Sequence, residues 1–293
     1  MRINNLNIIK MTKTLLLILT PSLIFGQIIT SPNIPSQGIT INFDQIDDTV
    51  SISSNGPWDF SNINPTSTYD MSMLPIDSSS HASNYPNSTH VLKSDNGEFF
   101  FSVSPTQFKT YGKVGLTTVT NYQNPLILIN YPLTSTINHS DSIGSTVIWN
   151  SLTAPVNDKI EIIGLSSGSV TMPDGNVYNN AIVVSTKRTT INGPDPIFGN
   201  YLTVEEISKQ FWLQDYPLPV IEVLHAYSNS NIVLKRTLFL KGNMSSNQSE
   251  ITKNINKKIK HKFNLLGKKS NSKNTPLIYL YDDGSIEKRI VLD

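Results

Sequence analysis

The sequence predicts an all-β protein: an antiparallel β-sandwich or jelly-roll-like ectodomain followed by a short C-terminal β-hairpin. Three observations carry this reading. Short runs of β-branched and aromatic residues recur through residues 27–242, helical periodicity is nearly absent, and Ser, Thr, Asn, Pro and Gly dominate the connections. The 293 residues include no cysteine. An exported chain of this kind has no disulfides or thiolate metal sites, so burial and backbone pairing must hold it together.

Residues 1–26 read as a signal peptide. Arg2, Lys10 and Lys13 precede an apolar run from Leu15 to Phe25, interrupted by Thr20, Pro21 and Ser22, and Gly26 supplies a small residue at the cut. The run is about a dozen residues, short of the ~20 that span a bilayer. No later segment is long and apolar enough for a membrane helix, and no cysteine is available for lipidation at the cleavage site.

The body, residues 27–242, is expected to alternate strand and turn. The first half offers strands at 38–43, 49–52, 56–60, 90–92, 98–102, 108–111, 116–122 and 126–131. Strands follow at 146–149, 159–165, 168–172, 176–185, 201–214, 220–227 and 231–240. Pro173-Asp174-Gly175-Asn176 is a hairpin turn, because Pro presets φ and Gly accepts φ > 0. The stretch Asn192-Gly193-Pro194-Asp195-Pro196 reads as a loop, since its prolines deny ladder donors. Residues 205–211 also fit one or two helical turns. Trp58 and Phe60 share one strand face, which places them in the core.

Charge narrows the function. The net charge is about +3 over residues 1–26, about −7 over 27–242 and about +5 over 243–293. A mildly acidic body disfavours nucleic acid as a partner. The histidines His81, His90, His139 and His225 lack metal-pair spacing, and no HExxH, Gly-x-Ser-x-Gly or phosphate loop occurs. Asp44, Asp47 and Asp48 read as a solvated turn rather than a Ca²⁺ loop. A polysaccharide hydrolase would need two carboxylates at a fixed separation; Asp59, Glu205, Glu206, Asp215 and Glu222 are available, and no spacing selects a pair. Tyr69, Tyr85, Tyr111, Tyr131, Tyr201 and Tyr216 are spread among turns, where exposed rings would stack on sugars.

A Ser/Asn-rich linker, residues 243–256, leads to the tail, residues 257–293. Leu277-Ile278-Tyr279-Leu280-Tyr281 is a strand by composition, and Asp283-Gly284 supplies a hairpin turn before a last strand carrying Ile286, Arg289 and Val291. Together with Leu265-Leu266-Gly267-Lys268, this tail resembles the type A C-terminal sorting domain of the type IX secretion system of Bacteroidetes. The resemblance rests on Leu266, Gly267, Pro276, Leu277, Tyr279, Gly284 and Lys288, and lacks the usual Tyr-Pro-Asn-Pro opening. It implies the type IX machinery as a partner, passage through the outer membrane, and cleavage of the tail with attachment or release. The body, roughly Trp58 to Val223, resembles an ectodomain of secreted Bacteroidetes proteins with the same tail, through Pro57-Trp58-Asp59-Phe60-Ser61 and Met172-Pro173-Asp174-Gly175 among others. Asp48-Thr49-Val50 and Asp141-Ser142-Ile143 resemble the O-glycosylation motif of such proteins, with Thr49 and Ser142 as acceptors. The expectation is an exported cell-surface or secreted protein that is non-catalytic and acts by adhesion or by binding a ligand, such as a glycan, without a cofactor. The alternative is a secreted polysaccharide hydrolase.

Overall fold

The computed structural model describes residues 27–36, 38–149, 152–194, 199–242, 259–264, 269–270, 276–281 and 286–290. The chain forms two units, Met1–Ser246 and Asn247–Asp293. The expected leader and linker lie outside the described residues.

The first unit contains fifteen strands among the described residues: β1 (Ile28–Ile29), β2 (Ile39–Ile46), β3 (Trp58–Asp59), β4 (Ser67–Pro75), β5 (His90–Ser94), β6 (Gly97–Val103), β7 (Gln107–Val114), β8 (Thr118–Asn130), β9 (Leu133–Thr134), β10 (Asn138–Trp149), β11 (Leu152–Thr171), β12 (Val177–Asn192), β13 (Leu202–Trp212), β14 (Ile221–Ser228) and β15 (Asn231–Leu240). Two 3-10 turns, Ile76–Ser78 and Ala82–Asn84, interrupt them.

Twelve strands close into one antiparallel barrel. Each barrel strand pairs with the next in sequence, from β2 through β4–β8 and β10–β15, and β15 returns to β2 through Phe43–Ile46 against Thr237–Leu240. The expected sandwich or jelly roll is therefore corrected. Those folds need two facing sheets, usually joined by crossovers between non-sequential strands; here every barrel pairing is sequential except the closing one. Several strands are also much longer than a usual strand of five or six residues: β11 has 20 residues and β12 has 16. Residues 205–211, which also fit a helix, lie in β13. Its side chains alternate between the two faces with period two.

Register defines inside and outside. Val184, Gln210, Glu222 and Leu238 lie opposite one another on β12–β15, as do their neighbours Val183, Phe211, Ile221 and Phe239. The first row faces the lumen and the second faces out. The outward apolar row is covered by the long β2–β4 connection, which carries β3 alongside β11 in parallel. Trp58, 3 % exposed, and Phe60 pack on it, with ring centroids 5.1 Å (Trp58–Phe211) and 5.4 Å (Phe60–Phe239) apart. A second strap, between β4 and β5, lays Tyr85 flat on Phe100 at 3.8 Å. The Tyr85 hydroxyl donates to the Thr120 carbonyl at 2.8 Å. Position 112 must be glycine: its φ is +144°, and a Cβ there would sit 2.8 Å from the Tyr85 ring. On β11–β13 the outer wall carries the Lys159–Glu161 and Lys187–Glu205 ion pairs.

One seam is incomplete. β8 and β10 pair only over Thr118–Asn121 and Thr146–Trp149. Further along, side chains of β10 take over the backbone groups of β8. The Ile127 amide donates to Asp141 Oδ2 at 2.7 Å, and His139 Nε2 lies 2.9 Å from the Ile127 carbonyl oxygen. These contacts satisfy groups that a ladder would otherwise pair.

The second unit, by itself, contains β16 (Ile259–Asn264), β17 (Pro276–Tyr281) and β18 (Ile286–Ile290), paired antiparallel in that order. Pro276, Leu277 and Tyr279 lie on β17 and Lys288 on β18, where Ile278 faces Lys288. Leu266, Gly267 and Gly284 lie outside the described residues.

Candidate functional site

The barrel encloses a lumen of about 660 Å³, inside the range of small-molecule sites. Antiparallel alternation sends connections to opposite ends of the barrel. At one end an apolar cluster joins Ile162, Ile182, Val184 and Trp212 to Ile29 and Leu133, contributed by the short β1–β9 ribbon. That ribbon plugs the lumen. It is tied down by the Thr30 amide, which donates to Gln214 Oε1 at 2.9 Å. At the other end the lumen reaches Asn96, Gly97 and Gly115 in the β5–β6 and β7–β8 turns, which form its mouth.

Polar groups are placed in two networks. Asp158 on β11 is nearly fully buried and accepts from Arg188 Nε at 3.0 Å and Nη2 at 2.6 Å. It also accepts from the Tyr122 hydroxyl at 2.5 Å and the Thr190 hydroxyl at 3.3 Å. Burial alone would raise the Asp158 carboxyl, but the hydrogen bonds and charge of Arg188, with Tyr122, outweigh it and hold it below its ordinary value. Burial pushes the Tyr122 phenol up. In the second network Trp212 Nε1 donates to Gln210 Oε1 at 3.2 Å, Gln210 Nε2 to Glu222 at 3.0 Å, and Arg236 Nη2 to Glu222 at 3.3 Å. Arg236 also lies over the Tyr69 ring, 5.1 Å from its centroid. Its Nε is buried with no hydrogen-bond partner.

Lys113 on β7 also lines the lumen, near the mouth. Glu206 lies opposite Arg188 and faces the same space. Burial, and then the Arg188 charge, push the Lys113 ammonium below its usual range, while Glu206 and Asp158 pull it back.

The mouth is surrounded by apolar side chains. Ten of the fourteen exposed large hydrophobics among the described residues lie on four consecutive hairpins at this end: Leu116 on β7–β8; Ile148, Trp149 and Leu152 on β10–β11; Ile191, Tyr201 and Leu202 on β12–β13; Ile232, Val233 and Leu234 on β14–β15.

The sequence-level candidates are dispersed. Glu206 and Glu222 line the lumen, whereas Glu205 pairs outside with Lys187 and Asp59 accepts from the Ser61 amide at 2.9 Å. Asp215 sits in the β13–β14 turn with φ +69°. The Thr49 hydroxyl is half-buried against His225 Nε2 at 3.2 Å, and Ser142 is exposed on β10. Of the six tyrosines read as sugar platforms, only Tyr201 is exposed. Among the described residues no group of three His, Cys, Asp or Glu is placed to hold a metal ion. Sequence reasoning missed Lys113, Asp158, Arg188 and Arg236. The body has only two arginines, and both point into the lumen. Arg188 and Asp158 fall on the same strand parity as Ile182, Val184, Ile160 and Ile162, a charge on an inward position, which is the signal that marks them.

No protein-family model, curated protein or solved structure matches the chain.

Proposed function

We propose that this is an exported protein whose body binds a small ligand non-catalytically inside the barrel, after delivery through the type IX secretion route to the cell surface or medium. The observation that carries the binding reading is the lumen itself, plugged at one end by β1 and β9 and lined by fixed ion pairs set among apolar walls. Such a combination of apolar area with a few oriented polar groups is what small-molecule sites share. It favours a ligand taken into the interior over a glycan stacked on surface tyrosines. The charged outer wall on β11–β13 and the two straps support a body standing clear of the bilayer, since a lipid-facing wall is an apolar band. Asp158 and Glu222 are each held by an arginine, a structural use of carboxylates rather than acid–base chemistry.

The binding reading is tested by native mass spectrometry of the secreted chain, where co-purified small molecules should be lost when Thr186→Trp fills the lumen. Retention of the same ligands by that variant, with its fold intact by circular dichroism, would place them elsewhere. The export reading is tested by deleting residues 275–293, which should trap the protein in the periplasm of a type IX-competent host; normal surface delivery of the deleted form would sink it.

A further inference from the structure

Among the described residues the lumen is lined by three cations, Lys113, Arg188 and Arg236, and two have their own carboxylates. Arg188 is bound by Asp158 and Arg236 by Glu222. Lys113 has none: among the described residues its ammonium makes no hydrogen bond or ion pair. Glu206 faces the same space and is likewise without an ion pair. A half-buried ammonium beside the Arg188 charge, without a paired carboxylate, costs desolvation and repulsion that an incoming anion offsets.

We propose that the ligand is a single-chain anionic amphiphile, its acidic head group paired with Lys113 near the mouth and its hydrocarbon tail on the apolar floor. This deepens the lumen-binding reading and rests on it. The floor supplies the tail's environment through Phe108, Leu128, Ile160, Ile162 and Trp212. Phe108 and Lys113 lie five residues apart on β7. At ~3.3 Å per residue and a barrel tilt near 40°, that is about 12 Å of depth, the reach of a medium-length alkyl chain.

The rim points to the same class of ligand independently. Its four hairpins expose aliphatic and aromatic side chains, and their described tips carry no charged residue. A sugar or other fully hydrated ligand needs no such approach, whereas an amphiphile leaving a micelle or bilayer does. Trp149 and Tyr201, apolar rings with a polar edge, suit that boundary.

The test compares decanoate with 1-decanol by isothermal titration of the full secreted chain. Decanoate should bind about tenfold more tightly, as expected for a charge-assisted pair. Lys113→Met should remove the preference and leave decanol binding within about twofold, which also reports that the lumen is still folded. Glu206→Gln should tighten decanoate, because it removes the opposing charge. Equal binding of acid and alcohol by the native chain, or a preference that survives Lys113→Met, would overturn the head-group assignment while leaving the lumen a binding site. Binding of neither would overturn the lumen reading itself.

Discussion

Asp158 and Arg188 are the residues on which the interior depends. Their pair is buried, and its value lies in the balance of desolvation against bidentate hydrogen bonding. Arg188→Met leaves Asp158 and Tyr122 without the guanidinium and should cost about 3–5 kcal/mol in urea unfolding at neutral pH. The double variant Asp158→Leu, Arg188→Met should lose less, because no uncompensated charge remains; a double variant as unstable as the single one would contradict this. The pH dependence has a defined sign. The folded Asp158 carboxyl lies below its unfolded value of about 3.9, so its stabilisation is complete above about pH 4 and is lost as pH falls through the folded value. In Arg188→Met, burial, the largest influence on the carboxyl, is opposed only by the Tyr122 hydrogen bond and the Lys113 charge; the carboxyl should rise, and stability should instead increase as pH falls from neutral. Urea midpoints between pH 4 and 7 read this reversal directly. The parity signal of the pair goes unread because Asp158 and Arg188 lie just outside the expected strands 159–165 and 176–185, where a charge reads as a strand end, whereas both lie inside the longer β11 and β12.

At the scale of elements, the straps complete the packing of the outer face of the wall. Trp58 and Phe60 cover an apolar row that would otherwise face water, so Trp58→Ala should cost about 3–5 kcal/mol, measured by thermal or urea unfolding. A negligible loss would mean that the strap is not part of the folded unit. Burial of Trp58 was readable from its alternation with Phe60, although the surface it covers was not. Legibility followed the same physics along the chain. β6, β14 and β15 carry dense β-branched or aromatic runs and match the expected strands to within a residue, whereas β12 runs seven residues past its expected end at Ser185. β4 was missed, and β10 was read only at Thr146–Trp149, because its inward positions include His139, Asp141 and Ser145. Those side chains serve hydrogen bonds to β8 instead of apolar packing, so the usual hydrophobic alternation is absent where the seam needs polar groups.

For the whole molecule, the all-β character and the alternation were legible, whereas closure was not, and neither was the continuity of the long strands β8 and β11, each read as two. A sandwich and a barrel use the same period-two pattern, and the difference lies in whether the last strand finds the first. That contact is β15 with β2, separated by nearly the whole body and invisible to local pattern. It also makes closure vulnerable: deleting Asn231–Leu240 should abolish the native fold, read as loss of protease resistance and of near-ultraviolet dichroism. A truncated body that stays resistant would show that the wall does not need its closing strand. Closure has a consequence for what the protein can hold. The girth of a ring of paired strands is fixed by their number and stagger, so no loop movement widens it. Depth is different, because the floor is a separate ribbon of a few residues around Ile29 and Leu133. The barrel is thus a gauge of constant bore and adjustable length: substitutions in that ribbon would sort guests by how long they are, whereas accepting a broader one would require another hairpin in the wall.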